Sequence, residues 1–261
     1  MAEILVNLNH IHYEIVGEGA PVLLIAGLSG VGRGWGDQID RFGSEFMTIV
    51  PDHPGAGGSS PPSNGFTIEE HAADMAGLLR ALGSGPAHIV GSSTGGAIGM
   101  VVALDHPHVV RSLTLVSSWA RADNYFRHQF ALRKEILTKL GPEAYARATA
   151  LFLFSPQFFR DHYDQVLGWW ERASSSVGSE AMAQRIDMIL GHDQLDRIPR
   201  IGVPTLVVVG RDDACTPLHF SEEMARAIPG ADLVVLEGGH LIYKEDPSGF
   251  HGVVRDFIHG L

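Results

Sequence analysis

Six short apolar runs recur along the chain, "PVLLIAG", "FMTIVPD", "AHIVGSS", "RSLTLVSS", "VPTLVVVGRDD" and "ADLVVLEGG", and each ends in Gly, Ser or Asp. Segments with helical periodicity separate them. That alternation predicts a largely parallel α/β sheet, because parallel neighbours need long crossovers and helices supply them. The opening "EILVNLNHIHYEIVGEG" differs: it reads as two alternating strands joined at Asn9-His10, an antiparallel hairpin that brings the strand count to eight. Between two of the runs, "TIEEHAADMAGLLRALG" carries apolar residues at helical spacing, with Thr67 and Glu70 placed as a capping box. The expected fold class is α/β, a mostly parallel eight-stranded sheet with helices on both faces. In open sheets of this kind ligands sit beyond the carboxyl ends of the strands, so the polar endings of the runs are where chemistry is expected.

The rhythm breaks between about Trp119 and Pro199, where the chain reads as several helices rich in aromatics and arginines, with no strand before Val203. We expect a core over 1–118 and 200–261, carrying an inserted helical lid over 119–199. A segment that leaves one strand end and returns before the next must lie over that edge of the sheet. A length of 261 residues suits one such domain.

Composition excludes several classes of function. A formal charge of −11, with no dense Lys/Arg run, is unfavourable for holding a phosphate backbone, so nucleic acid is not an expected partner. No apolar stretch is long enough to span a bilayer, and "MAEILVNLNH" lacks the pattern of a secretory signal, so a cytoplasmic protein without membrane attachment is expected. The single cysteine, Cys215, has no partner for an internal disulfide. His53, His71 and His88 are scattered and no zinc-type spacing is present, so neither metal nor cofactor is expected. The expected partner is a small-molecule substrate, and a homo-oligomer is compatible with the sequence.

"GSSTG" fits G-x-S-x-G in one register, Gly91 to Gly95, which makes Ser93 rather than Ser92 the central serine. It follows an apolar strand and opens a helix-like run, the context in which a serine becomes an exposed nucleophile on a strained turn. A serine hydroxyl needs a base to take its proton, and the base needs an orienting carboxylate. Downstream, "VVVGRDDACTP" ends a strand in Asp212 and Asp213, and "LEGGH" places His240 just after the last apolar run. An oxyanion site built from the N–H after the nucleophile and one from an early loop falls on Thr94 and Leu28. That loop is not a phosphate loop: Gly27 to Gly32 has the glycine spacing, but Arg33-Gly34 stand where Lys and Ser/Thr are required.

Taken together these residues resemble the α/β-hydrolase superfamily across essentially the whole chain. "LLIAGLSG" looks like its oxyanion loop, "VPDHPGAGGSS" like its D-x-R-G-x-G-x-S turn, "VGSSTGG" like its nucleophile elbow, and "GRDDACTP" with "GGH" like its acid and base loops. Pro54 replaces the usual arginine of the second motif. The G-x-x-D-x-x-x-P arrangement selects Asp213, with Asp212 the alternative. Ser93 at the elbow points away from haloalkane dehalogenases and epoxide hydrolases, which resemble the family with Asp there. Within the superfamily, "SSWARADNYFRHQFALRKEIL" is similar to the lid of the aminoacrylate hydrolases of pyrimidine catabolism, and the layout is similar to 3-oxoadipate enol-lactonases.

The resemblance implies an α/β-hydrolase fold and a serine esterase, or a related acyl hydrolase, working through an acyl-enzyme on Ser93. Both named groups imply small acidic metabolites. Hydrolysis of a C–N bond in an aminoacrylate-like acid, peracid formation on the same triad, and a catalytically weak receptor of the same fold are the alternatives. For substrate contact the chain around the end of "SLTLVSS" offers Trp119, Arg121, Tyr125, Arg127 and Arg133, and Arg121, nearest the strand end, is the expected carboxylate ligand.

Overall fold

A computed structural model describes residues 2–63, 65–176 and 178–261. The chain opens with β1 (Ala2–Val6) and β2 (Asn9–Val16), then β3 (Pro21–Ile25), α1 (Gln38–Gly43), β4 (Met47–Pro51), α2 (Ile68–Leu82), β5 (Ala87–Ser92), α3 (Thr94–Asp105) and β6 (Val110–Val116). Next come α4 (Asn124–Leu153), α5 (Pro156–Asp161), α6 (Tyr163–Ser176) and α7 (Ser179–Leu190). The chain closes with β7 (Thr205–Gly210), α8 (Leu218–Ala227), β8 (Asp232–Leu236), α9 (Ile242–Glu245) and α10 (Pro247–His259).

The eight strands form one sheet in the order β1-β2-β4-β3-β5-β6-β7-β8. β2 pairs antiparallel with both β1 and β4, and every other neighbouring pair is parallel. Every residue of β5 and β7 is buried. Because successive side chains of a strand point to opposite faces, complete burial means that helices cover both faces here. On the helical side, α3 packs against β5, β6 and α2, α1 meets α10, and α8 covers β7 and β8. The ten residues of α3 from Thr94 to Ala103 are all buried, as a helix that is apolar all round requires. Thr67 caps α2 by accepting a hydrogen bond from the Glu70 N–H at 3.1 Å. Among the described residues no helix is long and apolar enough to cross a membrane.

The hairpin turn differs from expectation. It lies at Asn7-Leu8, where φ is 46° and 77°, rather than at Asn9-His10. Asn9 is occupied as a strand residue: its side-chain N–H donates to Asp74 Oδ2 at 2.7 Å and its Oδ1 accepts from Ser63 N at 2.9 Å. Asn tolerates the left-handed region better than other non-glycine residues, so the turn moves to Asn7.

The chain runs from β3 outward to β4 and then returns to place β5 on the other side of β3. A crevice therefore opens at the carboxyl ends of β3 and β5, the switch point where open α/β sheets bind ligands. Helices α4 to α7 all fall between β6 and β7. α4 is broken at Gly141 (φ 88°, ψ 177°), followed by Pro142, whose ring and missing N–H prevent a continuous helix. Both α6 and α7 pack on α4.

Candidate active site

The loop after β5 places Ser93 in a backbone conformation that side chains rarely adopt, φ 55° and ψ −116°. Strain of this kind persists only where the surroundings enforce it. Here Ser93 N–H donates to Val116 O at 2.8 Å, Ser118 Oγ donates to Ser93 O at 2.9 Å, and the glycines on either side let strand and helix close together. A Cβ on Gly95 would lie 2.1 Å from the Ile25 carbonyl oxygen, and one on Gly91 would lie 2.2 Å from Gly95 O. Only glycine fits at either position.

The β7 and β8 loops bring Asp213 and His240 together, both buried. His240 Nδ1 is 3.0 and 2.9 Å from the two Asp213 carboxylate oxygens. Asp213 Oδ1 also accepts the N–H groups of Cys215 and Thr216 at 2.9 and 2.8 Å, and Oδ2 accepts the Thr216 hydroxyl at 2.9 Å. These donors fix the plane of the carboxylate. An Nδ1–H donated to Asp213 leaves Nε2 as the ring's acceptor. Burial disfavours the imidazolium, yet the Asp213 charge, the Cys215 sulfur and the hydrogen bonds to both together outweigh it, so the His240 pKa is raised. Asp212 is exposed and turns its backbone N–H to Gly238 O instead.

Thr94 opens α3, so its N–H belongs to the first helical turn, whose amides have no partner inside the helix. Gly27 lies against Ser93, since a Cβ there would be 3.6 Å from Ser93 Cβ, and Leu28 follows it in the same loop. A cavity of about 350 Å³ is lined by Leu28, Ser93, Cys215 and His240 from the strand-end loops and by Arg133 and Trp169 from α4 and α6. A serine, a histidine oriented by a carboxylate, and the first-turn amide of α3 beside one cavity form a set suited to acyl transfer.

The sequence profile of the alpha/beta hydrolase fold family matches residues 20–247. The chain belongs to the α/β-hydrolase fold family. Among its relatives, a putative carbamate hydrolase RutD from Azorhizobium caulinodans is 38% identical over 252 residues, covering 95% of this chain and 94% of that protein. An esterase from Thermogutta terrifontis, solved with malate bound, superposes with a TM-score of 0.89 at 29% identity, over 99% of this chain and 98% of that one. The enol-lactonase from Burkholderia xenovorans superposes with a TM-score of 0.91 at 26% identity, over 99% of this chain and all, 100%, of that one.

In this α/β hydrolase the α4–α7 segment meets the chain that follows β7 and β8. Tyr125 Oη donates to Ala214 O at 2.6 Å, Gln129 donates to Cys215 O, Leu241 N–H donates to Leu153 O at 3.1 Å, and Ser155 Oγ donates to Glu245 Oε2 at 2.6 Å. Four of the five residues expected to meet substrate fall elsewhere. Trp119 is buried against Phe126 and His192, with ring centroids 4.5 and 5.8 Å away. Arg121 is exposed in an extended segment paired with Asp193, Tyr125 is half-exposed with its hydroxyl taken, and Arg127 donates to the carbonyls of Ala122 and Leu190. None of the four lines the cavity, and the expectation for Arg121 is corrected accordingly.

Arg133 does line it. It is 3% exposed, and among the described residues no carboxylate pairs with it. Its guanidinium donates to Thr149 Oγ1 at 3.2 Å and more loosely to Tyr145 Oη at 3.4 Å, lies 3.6 Å from Cys215 Sγ, and stacks 4.2 Å from the Phe130 ring centroid. The sequence signal was its phase: α4 begins at Asn124, and Phe126, Phe130, Arg133 and Leu137 share its buried face. Thr216 was missed, although a hydroxyl just before Pro217 is visible in "DACTP".

Proposed function

We propose that this protein is a serine hydrolase for small carboxylate-bearing esters, lactones or related acyl compounds, with α4–α7 acting as its cap. Ser93 Oγ attacks the substrate carbonyl carbon while His240 Nε2 takes its proton, and Asp213 stabilises the imidazolium. The backbone N–H groups of Leu28 and Thr94 hold the oxyanion. His240 then gives the proton to the leaving oxygen or nitrogen. A water deprotonated by the same imidazole attacks the acyl-enzyme, releases the acid and restores Ser93.

The observation that carries the substrate class is Arg133, a buried guanidinium facing the cavity with neutral neighbours. An arginine stays charged under all ordinary conditions, and without a carboxylate partner its desolvation is offset only by hydroxyl and aromatic contacts. A substrate carboxylate would complete it through charge-assisted hydrogen bonds. The similarity to proteins named as a carbamate hydrolase and an enol-lactonase supports small polar acyl substrates. Carbamate-like or enamine C–N cleavage is the second reading, favoured by the 38% identity to the putative carbamate hydrolase.

The test pairs a carboxylate-bearing short ester with a neutral ester of the same size, adds a lactone and an enamine acid, and uses Ser93→Ala as the blank. With Arg133→Met, KM for the carboxylate substrate is expected to rise by roughly 10- to 100-fold, the worth of a charged hydrogen bond, and the neutral ester by less than about threefold. Equal losses on both would assign Arg133 to packing. Labelling of Ser93 without sustained turnover would favour a receptor.

A further inference from the structure

Arg185, on α7, is the second buried arginine of the α4–α7 segment, and it does not line the catalytic cavity. Its Nη2 donates to Pro54 O at 2.7 Å and its Nη1 to Leu28 O at 3.4 Å, while its guanidinium carbon lies 5.2 Å from the Phe66 ring centroid. Among the described residues no carboxylate pairs with it. Burial lowers its pKa to about 10, which still leaves it charged at neutral pH. The neighbouring His53 and His71 are buried, and desolvation holds both well below the ordinary histidine value, so both are neutral. A buried cation met only by carbonyls and an aromatic face carries a large desolvation cost. What those carbonyls belong to accounts for its place.

Leu28 supplies one of the two candidate oxyanion N–H groups, and further along its loop Gly32 N–H donates to Asp52 Oδ1 at 2.7 Å. Gly30 N–H donates to Gly27 O at 2.9 Å, and Gly30 O accepts from His53 N–H at 2.8 Å. A Cβ on Gly30 would lie 2.8 Å from Arg185 Nη1 and 2.9 Å from His53 Cβ, so the absence of a side chain there admits the guanidinium. The second acceptor, Pro54, is the position where the related D-x-R-G-x-G-x-S turn carries arginine. A guanidinium reaches that turn from α7 instead.

We propose that Arg185 is a positioning residue through which α7 holds the oxyanion loop. By anchoring the Leu28 carbonyl and the Pro54 turn together, it restrains the Leu28 backbone, so the oxyanion site is complete only while α7 is seated on the core. The Leu28 N–H and C=O flank one α-carbon, and with the Gly27–Gly30 turn closed, a restraint on the carbonyl limits rotation of the amide as well. The proposal rests on Ser93 being the nucleophile.

The experiment compares wild type, Arg185→Lys and Arg185→Met on a neutral short-chain ester, with a neutral alkyl trifluoromethyl ketone as inhibitor. The ketone forms a tetrahedral oxyanion adduct on a serine, so its Ki reads the oxyanion site directly. Melting temperature is measured alongside. Arg185→Met is expected to lower kcat by about 10- to 100-fold, the range for a slightly misplaced or lost donor, with KM within about twofold and Ki raised in parallel with the loss of kcat. Arg185→Lys, which keeps the charge, should recover part of both. A fall in melting temperature with kcat and Ki unchanged would overturn the proposal, as would a rise in KM alone. Should Arg185→Met fail to fold, Arg185→Lys decides by the same ratio, and wild-type kcat and Ki in a folded Lys variant overturn it. Equal binding of the ketone by wild type and Ser93→Ala would instead remove the serine nucleophile, and this proposal with it.

Discussion

The strand-end loops and the α4–α7 segment surround the same cavity, but they are held in different ways. Two of the loops are secured over a few residues: Asp213 is gripped by the N–H groups of Cys215 and Thr216, and the Ser93 turn by glycines that let β5 and α3 meet. The helical segment reaches the loops with side chains from far along the chain. Arg133 meets Cys215 across 82 positions and Arg185 meets Leu28 across 157. Short-range support places the Ser93 turn and the Asp213 loop within a fraction of an ångström, and the Leu28 loop is the exception, since under the proposal above it depends on Arg185 from α7. The loops thus carry the proposed chemistry, and the helices carry the proposed choice of substrate and, through Arg185, the proposed hold on the oxyanion loop.

The sharpest way to break that division is to remove the loop groups. Ser93→Ala and His240→Ala are each expected to lower kcat by about 10⁴-fold or more, and the double variant to be scarcely worse than either, because such groups act as a unit. Steady-state rates on the preferred substrate, with melting temperatures as the folding control, check this. Near-wild-type turnover by Ser93→Ala would shift the chemistry away from an acyl-enzyme.

A smaller effect sharpens the choice between the adjacent acids. Asp213→Asn is expected to cost roughly 10³- to 10⁴-fold, and exposed Asp212→Asn less than about threefold. The pH profile adds a sign. Attack needs neutral His240, so kcat/KM rises with pH through its pKa, which Asp213 raises above the ordinary value of 6.5. Removing that charge takes away the largest of the interactions that raise it against burial, so the acid limb of Asp213→Asn should move to lower pH while the plateau falls. An unmoved limb would mean that Asp213 does not set the basicity of His240.

The smallest effects belong to Arg121 and Tyr125, which lie outside the cavity. Arg121→Ala should leave KM for carboxylate and neutral esters within about twofold, as surface substitutions usually do. Tyr125→Phe removes one hydrogen bond to Ala214 O and should cost about 1 kcal/mol of stability, read by denaturant unfolding, with activity nearly intact. A large, carboxylate-selective rise in KM for Arg121→Ala would return substrate recognition to the strand end.

The sheet and the elbow were legible because their signals are local. An apolar run ended by Gly, Ser or Asp is a buried strand whatever surrounds it, and G-x-S-x-G records the sterics of a turn in which a Cβ would strike a carbonyl oxygen. Even so, one local reading slipped by two residues: the side chain that holds Asn9 in β2 bonds Asp74 from α2, a partner 65 positions away. Among the arginines the difficulty was greater. Arg121 precedes α4 and lies on the surface, while Arg133 shares a buried stripe whose phase follows from where α4 starts. That phase is written in the sequence, but which cavity the stripe faces is not. Arg185 left no local trace at all, because its acceptors are main-chain carbonyls, and a carbonyl looks the same beneath every side chain. Residue types and short spacings therefore carried the fold and the candidate nucleophile, acid and base. Which cation meets the substrate, and which one holds the Leu28 loop, was decided by packing, since burial next to a distant part of the chain is a property of the folded surface and not of neighbours in sequence.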